Sequence, residues 1–320
     1  MSQTDQKKAY AYALATVACW STVASAFKLS LRYLDPIQLL FYAALASVLV
    51  LALALAASGG FPALRAAPRR EKGRALALGL LNPFLYYLIL FAAYDRLPAQ
   101  EAQPLNYTWA VTLSLLSVPL LGQKLAAFDL AGILVSYLGV VLIATHGDPA
   151  SLRFESPSGV ALALTSTVVW ALYWIYSAKG RLDPVAGLLL NFVSGAAATG
   201  LVLAFWSPPG APDWRGLAGA AYVGVFEMGL SFVLWLKALK LSTSAAKVAN
   251  LIFLSPFLSL ILIHFLVGED IAFSTLAGLG FILGGNALRL AGSRNTRKIK
   301  PEAAPAAKDI PKTLTPENKS

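Results

Sequence analysis

LLGQKLAAFDLAGILVSYLG (120–139) and LVGEDIAFSTLAGLGFILGG (266–285) decide the fold. Gly122, Gly132 and Gly139 of the first stretch fall on Gly268, Gly278 and Gly285 of the second at a constant offset. An earlier pair recurs as well: RYLDPIQLL (32–40) and RLDPVAGLL (181–189). Both set Leu-Asp-Pro ahead of an apolar run, where Asp caps a helix and Pro occupies its first turn. Asn106 also has a counterpart in Asn250. The chain therefore reads as two copies of one unit.

Composition says where such a unit lives. The chain has 320 residues, 57% hydrophobic and only 13% charged. Its mean hydropathy is +0.64. A soluble domain carries about 25% charged residues. The apolar excess comes in ten blocks, near 9–28, 36–58, 74–94, 99–121, 127–146, 157–178, 184–206, 215–237, 242–266 and 271–291. Blocks of about 20 residues are long enough to cross a bilayer as helices. Lys7, Lys8, an apolar run and Ala-Ser-Ala (24–26) imitate a signal peptide, but the run is long for one and the repeat needs it as a helix.

Five helices per copy is an odd number, so the second copy enters the membrane from the opposite side. Inverted-topology repeats are the mark of secondary transporters, with the substrate site near the midplane between the copies. The expected fold is an all-α polytopic membrane protein of ten transmembrane helices. Residues 1–147 form the first five-helix repeat and 148–292 the second. The Lys-, Pro- and Ala-rich stretch 293–320 lacks an apolar period and is expected to be a disordered basic tail.

The charges give orientation. With ten helices both termini share one side, and that side holds all but five of the 26 Lys and Arg. The five are Lys28, Arg32, Arg96, Arg153 and Arg215. The positive-inside rule places both termini in the cytoplasm. A net charge of +10 would suggest nucleic acid in a soluble protein. Here it follows from topology, and no nucleic-acid partner is expected.

Other function classes find little support. One cysteine, Cys19, allows no intramolecular disulfide and no cysteine-based zinc site. No P-loop is present, and neither His146 nor His264 belongs to an HExxH, nor does the chain carry a GxSxG. An enzyme is not expected, nor is a cofactor or a metal. Channels line filters with carbonyls or charge rings in symmetric oligomers, whereas this repeat lies within one chain, which suits a monomer.

Polar side chains deep in a bilayer are costly unless paired or facing a watery cavity, so those in mid-helix are the candidates. The expected substrate-lining set is Trp20, Ser21, Asn82, Tyr86, Asn106, Tyr107, Trp109, Trp170, Tyr173, Trp174 and Asn250. Asn82 precedes Pro83, which removes a donor and frees a carbonyl. Either the opened backbone meets a substrate ammonium or Asn82 satisfies the kink. Glu227 is the carboxylate well inside a membrane block, expected in proton coupling or contact with an amine; a structural pair with Lys247 or a backbone partner is the alternative. Lys247 lies near the cytoplasmic end of its block, where a lysine snorkels.

VVWALYWIYS (168–177) supplies the sharpest expectation. Trp170, Tyr173, Trp174 and Ser177 share one helical stripe. Trp170 falls within roughly 5 Å of the membrane middle and Trp174 roughly 10 Å from it, at 1.5 Å per residue. A headgroup belt lies farther out, where Tyr176 fits better. Helix contacts in membranes favour small residues, while indoles line cavities and stack on flat ligands. Site lining and core packing both remain open for the stripe.

The CWSTVASAFK segment (19–28), both Leu-Asp-Pro sites and VGED (267–270) resemble the EamA-type branch of the drug/metabolite transporter superfamily, and within it the bacterial aromatic amino-acid exporters. The resemblance spans residues 9 to about 292. It departs at Gly122-Gln123, where Gly-Glu would stand, and in YTWAVTLS (107–114), which lacks a counterpart to Pro256. The resemblance implies export of small amphiphilic metabolites, aromatic amino acids foremost, from a bacterial inner membrane by alternating access. A multidrug or cationic-compound exporter is the alternative. Uniport, exchange and proton antiport all stay open.

Overall fold

The computed structural model describes residues 5–122, 125–150, 156–206, 211–243, 248 and 250–299, with side chains of 250 and 289–299 excepted. Among these residues every regular element is helical. In order they are α1 (Gln6–Ser30), α2 (Pro36–Ala57), α3 (Phe61–Ala66), α4 (Arg69–Gly79), a π-helical segment (Leu80–Leu85) and α5 (Tyr86–Arg96). Then come α6 (Ala99–Asn106), α7 (Trp109–Leu121), α8 (Ala127–Ala144), α9 (Pro157–Ser177) and α10 (Pro184–Trp206). The rest are α11 (Trp214–Tyr222), a second π-helical segment (Val223–Leu230), α12 (Ser231–Leu241), a 3₁₀ turn (Asn250–Leu254), α13 (Ser255–Leu262), a third π-helical segment (Ile263–Val267) and α14 (Phe273–Ile299).

Among the described residues, seven helices are long and apolar enough to cross a membrane: 6–30, 36–57, 69–96, 127–144, 157–177, 184–206 and 214–241. The remaining apolar blocks differ from the expected single spans. Block 99–121 is divided into α6 and α7 at Tyr107–Thr108. At the division the Thr108 amide turns to the Leu105 carbonyl at 3.2 Å and the Thr108 hydroxyl donates to the same carbonyl at 2.7 Å, while Pro104 removes a ladder donor one turn earlier. Blocks 251–267 and 273–288 are shorter apolar helices. At the C-terminus, α14 stays helical to Ile299, past the expected start of a disordered tail at residue 293. Its last turns are basic, which suits the negative end of a helix dipole. Residues 300–320 and Lys247 lie outside the described residues.

The repeated motifs work as the same local devices in both halves. Asp35 accepts the amides of Ile37 and Gln38 at 2.8 Å each, and Gln38 returns a bond to the Asp35 amide. Asp183 accepts the amides of Val185 and Ala186 at 3.0 and 3.2 Å. Pro36 and Pro184 each open the helix that follows. Gly122 and Gly268 end their helices at φ +66° and +82°, the left-handed region that glycine enters at little cost.

Packing recurs in matched sets. The most extensive contact joins α8 to α14, and α2 lies along α10. The α1–α12 contact is mirrored by α5–α9, and α1–α13 by α7–α9. At the α8–α14 crossing a Cβ on Gly139 would strike the Gly278 carbonyl, and one on Gly285 would strike that of Gly132. These are the glycines aligned between the copies, and their lack of side chains lets two backbones touch.

The core draws most heavily on α2, α5 and α10, with α1 packed against them. Phe27 meets Phe91 and Tyr94 edge-on, with ring centroids 4.8 and 5.2 Å apart. Outward faces are apolar too: Leu49 is 62% exposed and Leu134 68%. Such surface suits lipid and not water.

Candidate functional site

Trp170 is the hub of an aromatic nest. Tyr86 from α5 stacks on it, with centroids 4.4 Å apart and planes at 28°. Tyr173 lies 5.7 Å along the same helix at 29°, and Trp174 meets Trp170 edge-on. Phe232 of α12 closes the group at 6.4 Å. Trp20 of α1 joins from behind, 6.1 Å from Phe232 and 5.6 Å from Trp235. Rings from α1, α5, α9 and α12 thus converge, at separations where offset and edge contacts are favourable.

A cavity of about 280 Å³ opens beside the nest. Tyr173, Trp174, Phe232 and Trp235 supply its aromatic wall. Buried Asn191 of α10 lines it as well, together with Glu71, Arg74 and Asp183. The Asn191 amide meets the Tyr173 hydroxyl at 2.9 Å. Oriented with its oxygen accepting from Tyr173, its nitrogen donates to the Gly187 and Ala75 carbonyls at 2.9 and 2.7 Å. That locks Tyr173 in place as a wall.

The polar candidates divide into committed and uncommitted groups. Asn106 is a bridge: Tyr86 donates to its oxygen at 3.3 Å and its nitrogen donates to Ser166 at 3.0 Å. Asn106 thus ties α5 to α9 and positions Tyr86. Ser21 donates to the Val17 carbonyl of its own helix at 2.7 Å. Tyr107 sits against Ser255, and Trp109, partly exposed, makes no ring contact among the described residues. Asn250 opens the 3₁₀ turn with its backbone.

Glu227 lies in the π-helical segment ahead of α12 and is partly buried. Its Oε1 accepts the Tyr87 hydroxyl at 3.1 Å, while Oε2 is buried with no hydrogen-bond partner among the described residues. Asn82 is fully buried with φ −141° and ψ 116°, an extended residue inside a helical span. It faces Tyr173, yet neither side-chain polar atom forms a hydrogen bond of normal geometry among the described residues. Buried polar atoms without partners are uncommon and point to a role beyond packing.

The structure brings Trp170, Tyr173, Trp174, Tyr86 and Trp20 into one aromatic cluster, of which Tyr173 and Trp174 line this cavity; the sequence reading did not include Phe232 and Trp235. Those two recur at i, i+3 with Leu236 at i+4, the same stripe signal that marked Trp170. Arg74 and Glu71 were missed because they lie before an apolar block, where charge reads as topology.

The sequence profile of the EamA-like transporter family matches residues 7–145 and again 157–290. An uncharacterized transporter of Clostridium kluyveri is 25% identical over 306 residues, covering 92% of this chain and 96% of its own. The uncharacterized transporter YvbV of Bacillus subtilis is 28% identical, over 65% of this chain and 68% of its own. The aromatic amino acid exporter YddG of Ancylobacter novellus is 27% identical, over 49% of this chain and 55% of its own. A crystal structure covering 91% of this chain superposes with a TM-score of 0.65 at 21% identity, which speaks to the fold. This chain is a multi-pass membrane protein that belongs to the EamA-like transporter family.

Proposed function

We propose that this protein is a secondary transporter that exports aromatic amino acids by alternating access. The observation that carries the reading is the Trp170 nest: Trp170 stacked on Tyr86 and Tyr173 beside a cavity walled by Trp174, Phe232 and Trp235. Flat aromatic walls give an aromatic side chain area and stacking energy together. The name of the YddG relative, an aromatic amino acid exporter, supports the same substrate class.

The mechanism we favour rocks two inverted five-helix repeats, 1–147 and 148–292, about the cavity. It is supported by the matched packing of α1–α12 with α5–α9, by the reciprocal glycines of α8 and α14, and by the two matches of one family profile. Both termini would face the cytoplasm of a bacterial inner membrane, as the Lys and Arg distribution favours. Trp20, Ser21, Asn82, Tyr86, Asn106, Tyr107, Trp109, Trp170, Tyr173, Trp174 and Asn250 form the proposed substrate path, with Glu227 for proton coupling or an amine.

A second reading, a cationic or multidrug exporter, draws on the unpartnered Oε2 of Glu227. Uptake into proteoliposomes of tryptophan, phenylalanine, leucine and a quaternary amine separates the two. Movement of tryptophan and phenylalanine ahead of the others is expected. Movement of leucine and the quaternary amine without the aromatic amino acids would overturn the reading.

A further inference from the structure

The aromatic cavity does not end at its rings. Glu71 and Arg74 line it and also line a second, polar recess with Arg70, Tyr176, Lys179 and Arg181. Two residues are thus shared, so a cationic mouth adjoins the apolar chamber. The mouth holds four cationic side chains against one carboxylate.

Both nearby acids are anchored by backbone amides, so they offset part of the cationic charge and leave it in excess. Glu71 accepts the backbone amide of Arg181 at 3.1 Å, and Asp183 caps α10. Arg74 is the frame: one guanidinium nitrogen donates to the Lys179 carbonyl at 2.8 Å and another to that of Tyr176. Arg74 thereby occupies the end of α9, where free carbonyls attract cations. Lys179 rides over the Tyr176 ring at 5.4 Å. Among the described residues Arg70, Lys179 and Arg181 form no ion pair.

We infer that this mouth is a recognition site for the carboxylate of the substrate. The inference rests on the proposed aromatic transport and specifies which aromatic solutes are accepted. The ring lodges against Tyr173, Trp174, Phe232 and Trp235 while the carboxylate faces Arg70, Lys179 and Arg181. Guanidinium groups favour planar carboxylates, and a cation-lined opening with low-dielectric walls concentrates anions. Aromatic amines without a carboxylate are repelled by the same field. Membrane topology alone would also place cations here, but it would leave ligand choice untouched.

Equilibrium binding to the purified full-length protein tests this with tritiated tryptophan as probe. Indole-3-propionate carries the carboxylate without the amine, and tryptamine the amine without the carboxylate. Indole-3-propionate is expected to displace tryptophan at least ~10-fold better than tryptamine. The triple variant Arg70→Gln/Lys179→Gln/Arg181→Gln should weaken the carboxylate ligands ~5- to 10-fold at low salt, with the gap closing at high salt. Arg65→Gln/Lys237→Gln/Lys240→Gln removes equal charge elsewhere and should change neither ligand.

Equal displacement by tryptamine, equal loss in the control variant, or no tryptophan binding at all would overturn the inference. A protein that binds as expected yet moves no aromatic amino acid in proteoliposomes would sink the transport reading and leave the carboxylate site standing.

Discussion

Replacing Glu269 with Ala should unfasten one end of the molecule. The Glu269 carboxylate accepts the amides of Ala99 and Gln100 at 2.8 and 3.0 Å, in the buried first turn of α6. Gln100 reciprocates: its amide donates to the Asp270 carbonyl at 2.8 Å and its oxygen accepts the Ala272 amide at 2.8 Å. Arg32 adds a bond to the Val267 carbonyl at 3.0 Å. Losing a helix cap costs about 0.5–2 kcal/mol, and each hydrogen bond to a charged group contributes about 1.5–3 kcal/mol. Glu269 is only partly buried, so water replaces part of both terms. A net loss of about 1–3 kcal/mol follows, or ~5- to 150-fold in local opening. Hydrogen–deuterium exchange at Ala99 and Gln100 is the assay. Their amides should exchange faster by that factor, while α10, which packs mainly on α2 and α4, stays unchanged. Glu269→Gln, keeping one acceptor, should fall between. Unaltered exchange at both amides in Glu269→Ala would refute the clamp.

Further outcomes follow from other contacts. Gly139→Val should force α8 from α14, since even a Cβ there meets the Gly278 carbonyl; overpacking of this kind costs about 1–3 kcal/mol, read as a lower Tm in detergent. Gly268→Ala has open space but φ +82°, so strain alone should cost about 1–2 kcal/mol and lower Tm less. Asp35→Ala and Asp183→Ala should each lose about 1 kcal/mol of helix capping, with similar shifts in the two halves of the molecule. Glu227→Gln should abolish any response of transport to an imposed pH gradient; an unchanged response demotes Glu227 to a structural partner of Tyr87.

The chain's architecture was legible where one residue does one local job. Leu-Asp-Pro predicted helix starts because a capping Asp and a first-turn Pro act within four residues, and Asp35 and Asp183 do so. Aligned glycines became the α8–α14 crossing because only missing side chains permit that approach. What depended on other segments was not legible. Stripe periodicity shows that Trp170 and Tyr173 share a face, but not that Tyr86 would stack there. The division at Tyr107–Thr108 was hidden because apolar periodicity continues through it. Arg74 looked like a topology signal, and its place across the end of α9 depends on a fold that brings residues 74 and 176 together.

The most direct test of the central claim is tryptophan transport into proteoliposomes by wild type and Trp170→Ala, with Tm measured on the same preparations. Trp170 is partly buried, so its removal costs less than the about 3–5 kcal/mol of a core Trp→Ala change. The account predicts at least ~10-fold slower tryptophan transport from protein that still unfolds cooperatively, since Trp170 packs on the wall residues Tyr173 and Trp174 at 5.7 Å each and orients them, and about 1.4 kcal/mol of lost aromatic contact gives a factor of ten. Wild-type tryptophan transport in Trp170→Ala alongside a lowered Tm would contradict it, making the nest packing and not a substrate wall.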